Sequence, residues 1–187
     1  MMFIKRLVEH SDIAKVNEEF NTILSSIGWG DFNQIGLKHR VNAIDPWFDA
    51  AGSLYDRQTM SRLGTESDFT EWTVDTNVYI RQQIEILEKN YDFKCGRVRL
   101  MRLLSRRGLS VHRDDEVRYH LVLKTNPKAY IAHSAIQNNT DNSDLPTAAI
   151  CYHLPMDGSW YEVNTREIHW VYNGGDDERI HLVVCGA

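Results

Sequence analysis

The sequence predicts a mainly β fold, a sandwich or jelly roll with flanking α-helices. Three observations carry that expectation: two amphipathic helical stretches confined to the first half, eight short strand-like runs in the second, and a composition suited to one packed core. The chain has 187 residues, 42% hydrophobic and 25% charged. A second domain would leave each half short of core, so residues 1–187 are read as one domain. At this size about 70% of the unfolded surface can be buried, and stability needs neither disulfide nor metal.

The first helix begins at Ser11 or Asp12, both good N-caps, and repeats Ile13, Val16, Phe20, Ile23, Leu24 and Ile27 at helical spacing before Gly28 and Gly30 end it. The second runs from about Asp75 or Thr76 to Tyr91, with Ile80, Ile84, Leu87 and Tyr91 along one stripe. Both read as packing helices. The stretch Asp31–Trp72 between them has no clear period. Together these segments make residues 1–96 a helical and irregular part that packs on a jelly-roll core at 97–187.

Strand candidates follow at Arg97–Leu104, Leu109–His112, Arg118–Lys124, Ala129–His133, Ala148–His153, Trp160–Val163, His169–Tyr172 and Ile180–Cys185. Ser105–Gly108 and Asn173–Asp176 read as turns, and the polar run Gln137–Asp144 as a mobile loop. There is no internal repeat and no linker.

Charge and cysteine content narrow the function. With 21 basic and 26 acidic side chains the net charge is -5, which argues against a general nucleic-acid or anionic-membrane binder. No apolar run approaches the ~18 residues of a transmembrane helix, and the N-terminus lacks the apolar stretch of a secretion signal. Cys95, Cys151 and Cys185 are odd in number and lack zinc-ligand spacing; they read as buried thiols in a reducing, cytoplasmic compartment.

Six of the eight histidines lie between His112 and His181. His112-Arg113-Asp114 places an imidazole and a carboxylate two residues apart, on one face of a strand or at its end. His169 offers a second imidazole from a later strand. Two histidines and one carboxylate on one side of a ferrous ion leave positions open, the arrangement of non-haem iron oxygenases. Arg179, ten residues after His169, suits the distal carboxylate of 2-oxoglutarate, since a guanidinium in a dry pocket grips carboxylates bidentately. The competing reading is a pair of half-buried polar histidines with a surface arginine. The other pair of this kind, His10-Ser11-Asp12, sits where a helix begins and reads as capping.

Here the sequence resembles a family. Val111–Leu123 (VHRDDEVRYHLVL) resembles the PHxD…RxHLPL segment of the aspartyl/asparaginyl β-hydroxylases, and Trp160–Asn173 (WYEVNTREIHWVYN) resembles their segment ending H-x-V-x-N. Arg179–Val184 resembles the closing strand. The likeness covers roughly residues 97–186. It implies a double-stranded β-helix, cupin-like, with Fe(II) held by His112, Asp114 and His169, 2-oxoglutarate as co-substrate on Arg179, and O2 as oxidant. His112 and His169 match iron-ligand positions; Arg118 and His120 match an Arg-x-His pair that helps hold the co-substrate in some members.

Asp114 separates subfamilies. Vertebrate protein-hydroxylating members have glycine at its place, whereas bacterial relatives acting on free amino acids keep His-x-Asp. The expected partner is therefore a small amino acid or peptide, with a protein aspartyl/asparaginyl hydroxylase as the alternative. Val111, Asn164 and Cys185 depart from the usual Pro, Asp and terminal Asp without touching the proposed ligands.

Three rivals are weighed against this. A nucleic-acid dealkylating oxygenase is expected to have a second arginine six residues after the first, and position 185 is Cys. A non-catalytic cupin-like sensor is expected to lose the co-substrate arginines, yet Arg179 and Arg118 are present. A purely structural jelly roll has no need of these polar residues. Lys94, Arg97, Arg99, Arg102, Arg106, Arg107, Arg113 and Arg118 hold 8 of the 21 basic residues within 25 positions. They read either as solvated side chains on an exposed strand and turn or as a positive mouth for anions. Trp47, Trp72 and Trp160 read as core or as the lining of a substrate cleft.

Overall fold

A computed structural model describes residues 2–56, 58–73, 78–134 and 148–187. In chain order the elements are β1 (Ile4–His10), α1 (Ile13–Ile27), β2 (Gln34–Gly36), β3 (Lys38–His39), β4 (Glu71–Trp72), α2 (Val78–Tyr91), β5 (Cys95–Leu103), β6 (Arg107–His112), β7 (Arg118–Lys124), β8 (Ala129–Ser134), β9 (Ala149–Tyr152), β10 (Ser159–Val163), β11 (His169–Asn173) and β12 (Arg179–Gly186). A larger sheet is ordered β1-β10-β7-β12-β5-β2 and a smaller one β6-β11-β8-β9. From β5 onward the chain crosses between the two at every step except β8 to β9, which pair in the smaller sheet, and every pairing is antiparallel, which is the jelly roll.

Alternation sets what each face carries. On β12, Ile180, Leu182 and Val184 join a core with Val98, Leu100, Leu121 and Leu123. That core also takes Val16, Phe20 and Ile23 of α1 and Ile80, Ile84 and Leu87 of α2, so both helices pack on the outer face of the larger sheet. The period of two sends Arg179, His181, Val183 and Cys185 to the opposite face, toward the smaller sheet. A second core of Phe3, Val122, Ile131, Leu154, Tyr161, Val163 and Val171 fills part of that inter-sheet space.

The eight strand candidates coincide with β5 to β12, each within two residues at either end. The turn Ser105–Gly108 is sharp enough to hold Arg106 at φ 56°. Asp12 is the cap of α1: its carboxylate accepts from the amides of Ala14 and Lys15. Ser11 is instead buried, donating to Gln83 Oε1 and accepting from Trp160 Nε1. The expected start of α2 at Asp75 or Thr76 and the polar loop Gln137–Asp144 lie outside the described residues.

The N-terminal part holds strands that pattern reading passes over. β1 buries Ile4 and Leu7, three apart, because its pairing with β10 is irregular between Arg6 and His10; period two is lost there. β2, β3 and β4 are two or three residues long, too short to show a pattern. Cys95 and Cys185 are buried, but Cys151 on β9 is exposed, against the expectation of three buried thiols.

The tryptophans belong to the helix-side core. Trp160 is fully buried there, and Trp47 and Trp72 pack against the same cluster, so the substrate-cleft reading fails. Trp160→Ala is expected to cost about 3–5 kcal/mol of unfolding free energy, measured by urea denaturation, from lost burial and the cavity left behind.

Candidate metal centre

The two histidines meet because β6 and β11 are neighbours in the smaller sheet. His112 ends β6, His169 opens β11, and the register places them opposite one another with ring centroids 4.3 Å apart. Asp114 lies just past β6, where its backbone N–H donates to Thr165 O at 2.9 Å. Thr165 Oγ1 in turn donates to Glu116 O, pinning this turn to the segment after β10. The ligand atoms of His112, Asp114 and His169 all fall within 4.8 Å of one another.

Both rings are oriented by backbone carbonyls. His112 Nδ1 donates to Ser110 O at 2.7 Å, and His169 Nδ1 to Glu167 O at 2.9 Å. Each Nδ1 therefore carries the proton and each Nε2 presents a lone pair to the centre. Those Nε2 atoms lie 3.9 Å from Asp114 Oδ1 and 3.6 Å from Asp114 Oδ2. Burial and the neighbouring His112 push His169 down to about 4, so it is neutral, the form that binds metal. Asp114 Oδ2 is buried with no hydrogen-bond partner among the described residues. Two inward-facing imidazoles, an orphaned carboxylate oxygen and a remaining open side fit a divalent iron of facial-triad type.

Above the triad a pocket runs between the sheets. Ile131, Val163 and Val171 are among its apolar walls; its polar lining is His112, Arg118, His120, Thr165, His169 and Arg179. Arg179 is 6% exposed, and no carboxylate among the described residues lies within ion-pair distance of it. Burial pushes it down to about 9, which still leaves it cationic at neutral pH. A buried, unpaired guanidinium in a pocket beside a metal centre is a site for a carboxylate. Arg179 thus lines the same pocket as His112 and His169.

Arg118 donates to Asp114 Oδ1 at 2.5 Å, so it orients that carboxylate while also lining the pocket. His120 does line the pocket, and its Nε2 has no hydrogen-bond partner among the described residues. The basic run divides: Lys94, Arg106, Arg107 and Arg113 are exposed, as the solvated reading expects, while others turn inward. Arg97 and Arg99 point inward and are buried, Arg97 in a fork with Glu66 and Arg99 against Gln34 Oε1 and Cys185 Sγ. Arg102 bonds Asn33, and Arg106 pairs with Asp176 at the surface.

Two residues escaped the sequence reading. Asn173, noticed only as part of a motif, is fully buried and donates to Leu103 O, Leu104 O and Asp177 O, fixing the turn that delivers Arg179. His181 bonds Arg179 directly. Its signal was available: two residues after Arg179 on a strand, it must share that face.

His120 and His181 are held well below the ordinary histidine value, chiefly by burial and by Arg179. On acidification below about pH 6.5 the unfolded chain takes up protons on both rings while the folded protein does not. Stability is therefore complete above that pH and falls as pH drops, by up to about 1.4 kcal/mol per pH unit for each ring. Urea denaturation of the metal-free protein between pH 7 and 5 measures it.

No known family model matches the chain, and no curated protein matches it. Solved structures do. AviO1 from Streptomyces viridochromogenes superposes with TM-score 0.58 at 11% identity, over 98% of this chain and 89% of that one. EvdMO1 gives TM-score 0.55 at 16% identity, over 96% of this chain but only 45% of its own length. A 2OG-Fe(II) oxygenase family oxidoreductase from Burkholderia pseudomallei overlaps partially, with TM-score 0.40 and 15% identity over 59% of this chain and 60% of that one. AviO1 and EvdMO1 place the chain in the jelly-roll fold; the site rests on its own geometry.

Proposed function

We propose that this protein is an Fe(II)- and 2-oxoglutarate-dependent oxygenase that hydroxylates an amino acid or amino-acid side chain, free or in a small peptide. The observation that carries the reading is the convergence of His112 Nε2, His169 Nε2 and the unpartnered Asp114 Oδ2 beside a pocket holding the unpaired Arg179. The bound iron and co-substrate supply the oxidising chemistry, with 2-oxoglutarate converted to succinate and CO2.

The chain's own groups do the positioning. His112, Asp114 and His169 hold the metal on one side, the backbone carbonyls of Ser110 and Glu167 keep both imidazoles in the ligating tautomer, and Arg118 steadies Asp114. Arg179 takes the far carboxylate, and the aliphatic walls exclude water from it. The preference for an amino acid or small peptide rests on Asp114 within the resemblance of Val111–Leu123.

The test is succinate release from 2-oxoglutarate with Fe(II) and ascorbate, in air and anaerobically, across free amino acids and short peptides. Oxygen-dependent turnover stimulated by one of them is the expected result. Binding of iron and 2-oxoglutarate with no stimulated turnover would favour a protein substrate or a sensor; binding of neither overturns the reading.

A further inference from the structure

Three buried groups form a chain away from the metal. Arg179 Nη2 lies 3.0 Å from His181 Nδ1, and His181 Nδ1 lies 3.2 Å from His120 Nδ1. A guanidinium can only donate, so His181 Nδ1 must be an unprotonated acceptor. Were His120 Nδ1 also unprotonated, two lone pairs would face each other at hydrogen-bond distance inside the protein. His120 Nδ1 must therefore carry a proton and donate. Both rings being neutral, His181 keeps its proton on Nε2 and His120 is left with a lone pair on Nε2.

The sheet register makes this arrangement rigid. Arg179 and His181 are two residues apart on β12, His181 is opposite Val122 on β7, and His120 is two residues further along β7 on the same face. Other groups act on this cluster: Arg179 on both rings, Arg118 on the same strand, Arg99 on β5 and His169 on β11 of the facing sheet on His120, and His153 on His181. The arginines are cationic and weigh against a second proton on the rings they face.

We infer that His181 is the positioning residue of the anion pocket: its single Nδ1 lone pair, shared between Arg179 and His120, aims the guanidinium at the carboxylate and fixes the tautomer of His120. This rests on the reading of Arg179 as the 2-oxoglutarate anchor. The pocket then offers its ligand two unlike contacts, a cationic fork at Arg179 and an imidazole acceptor at His120. A hydroxyl or an ordered water satisfies the second; a second carboxylate does not.

The experiment is calorimetric titration of 2-oxoglutarate into the full chain loaded with Zn(II), which binds without turnover. His181→Leu removes the acceptor and is expected to weaken binding about tenfold or more. His181→Asn, whose Oδ1 can stand where Nδ1 stands, is expected to stay within about threefold of wild type. Zinc stoichiometry, measured alongside, should be one per chain in both variants. Equal affinity in wild type and both variants overturns the inference, as does an equal loss in the two. Failure of the wild type to bind 2-oxoglutarate overturns instead the function on which it rests.

Should His181→Leu not fold, nitrogen NMR of the imidazoles in wild-type protein decides the matter. His181 protonated at Nε2 only and His120 at Nδ1 only is the expected pattern. A proton on His181 Nδ1 overturns the inference.

Discussion

Replacing Asp114 by alanine is expected to abolish iron-dependent succinate release, and His112→Ala to do the same. Each substitution removes one of three ligand groups whose atoms lie within 4.8 Å of one another. Loss of an outer partner of a metal site commonly costs about 10–100-fold in affinity, and loss of a ligand should exceed that. Fe(II) or Co(II) binding by calorimetry measures it directly, independent of turnover. Asp114→Ala also releases Arg118, which loses its charge partner. Asp114→Asn keeps an acceptor for Arg118 but not the negative charge, so it should fold like wild type and still bind metal poorly. Wild-type metal affinity in both His112→Ala and Asp114→Ala would remove the triad from the account.

Arg179→Met is expected to separate function from stability in the opposite sense. Arg179 is buried with a single side-chain hydrogen bond, to His181, and without an ion-pair partner among the described residues. Replacing such a cation by an apolar side chain of similar length should leave the protein as stable or more so, because the cost of burying an uncompensated charge disappears. Its affinity for 2-oxoglutarate should fall by roughly thirty- to several-thousandfold, the range for removing one partner of a buried charge pair at about 2–5 kcal/mol. Thermal unfolding and calorimetry on the same preparation give both quantities. A destabilised Arg179→Met that binds 2-oxoglutarate normally would make Arg179 a structural residue.

The contrast between Arg179 and Arg97 explains why burial alone is not the signal. Both are buried arginines on inward faces of the larger sheet. Arg97 is satisfied internally by the Glu66 fork, with burial pushing Glu66 up and the Arg97 bond holding it below the usual carboxylate value. Arg179 has only an imidazole beside it. The position of a carboxylate on another element decides which arginine is architecture and which is available, and in Arg97's case that element is the irregular stretch before β4.

Local physics made much of the molecule readable. Apolar alternation and turn residues mark most of β5 to β12 because side chains alternate along a strand and all but β6 and β9 are buried on one or both faces. Asp12, the apolar stripes of α1 and α2, and the spacing His112-x-Asp114…His169…Arg179 are visible for the same reason: each depends on neighbours within one element or on their order along the chain. The N-terminal strands are not visible, since β1 is interrupted where its pairing with β10 shifts and the others are too short to carry a period.

Partnership across elements was decided only in three dimensions. The sequence by itself determined that two imidazoles, a carboxylate and an arginine stand at strand ends, in the order of the family that Val111–Leu123 resembles. The tertiary structure decided that β6 and β11 are adjacent, that Arg118 belongs to Asp114, that the tryptophans belong to the helix-side core, and that His181 stands between Arg179 and His120. A period along one strand fixes which face a side chain takes; which group it meets there depends on the register of a strand far away in the chain.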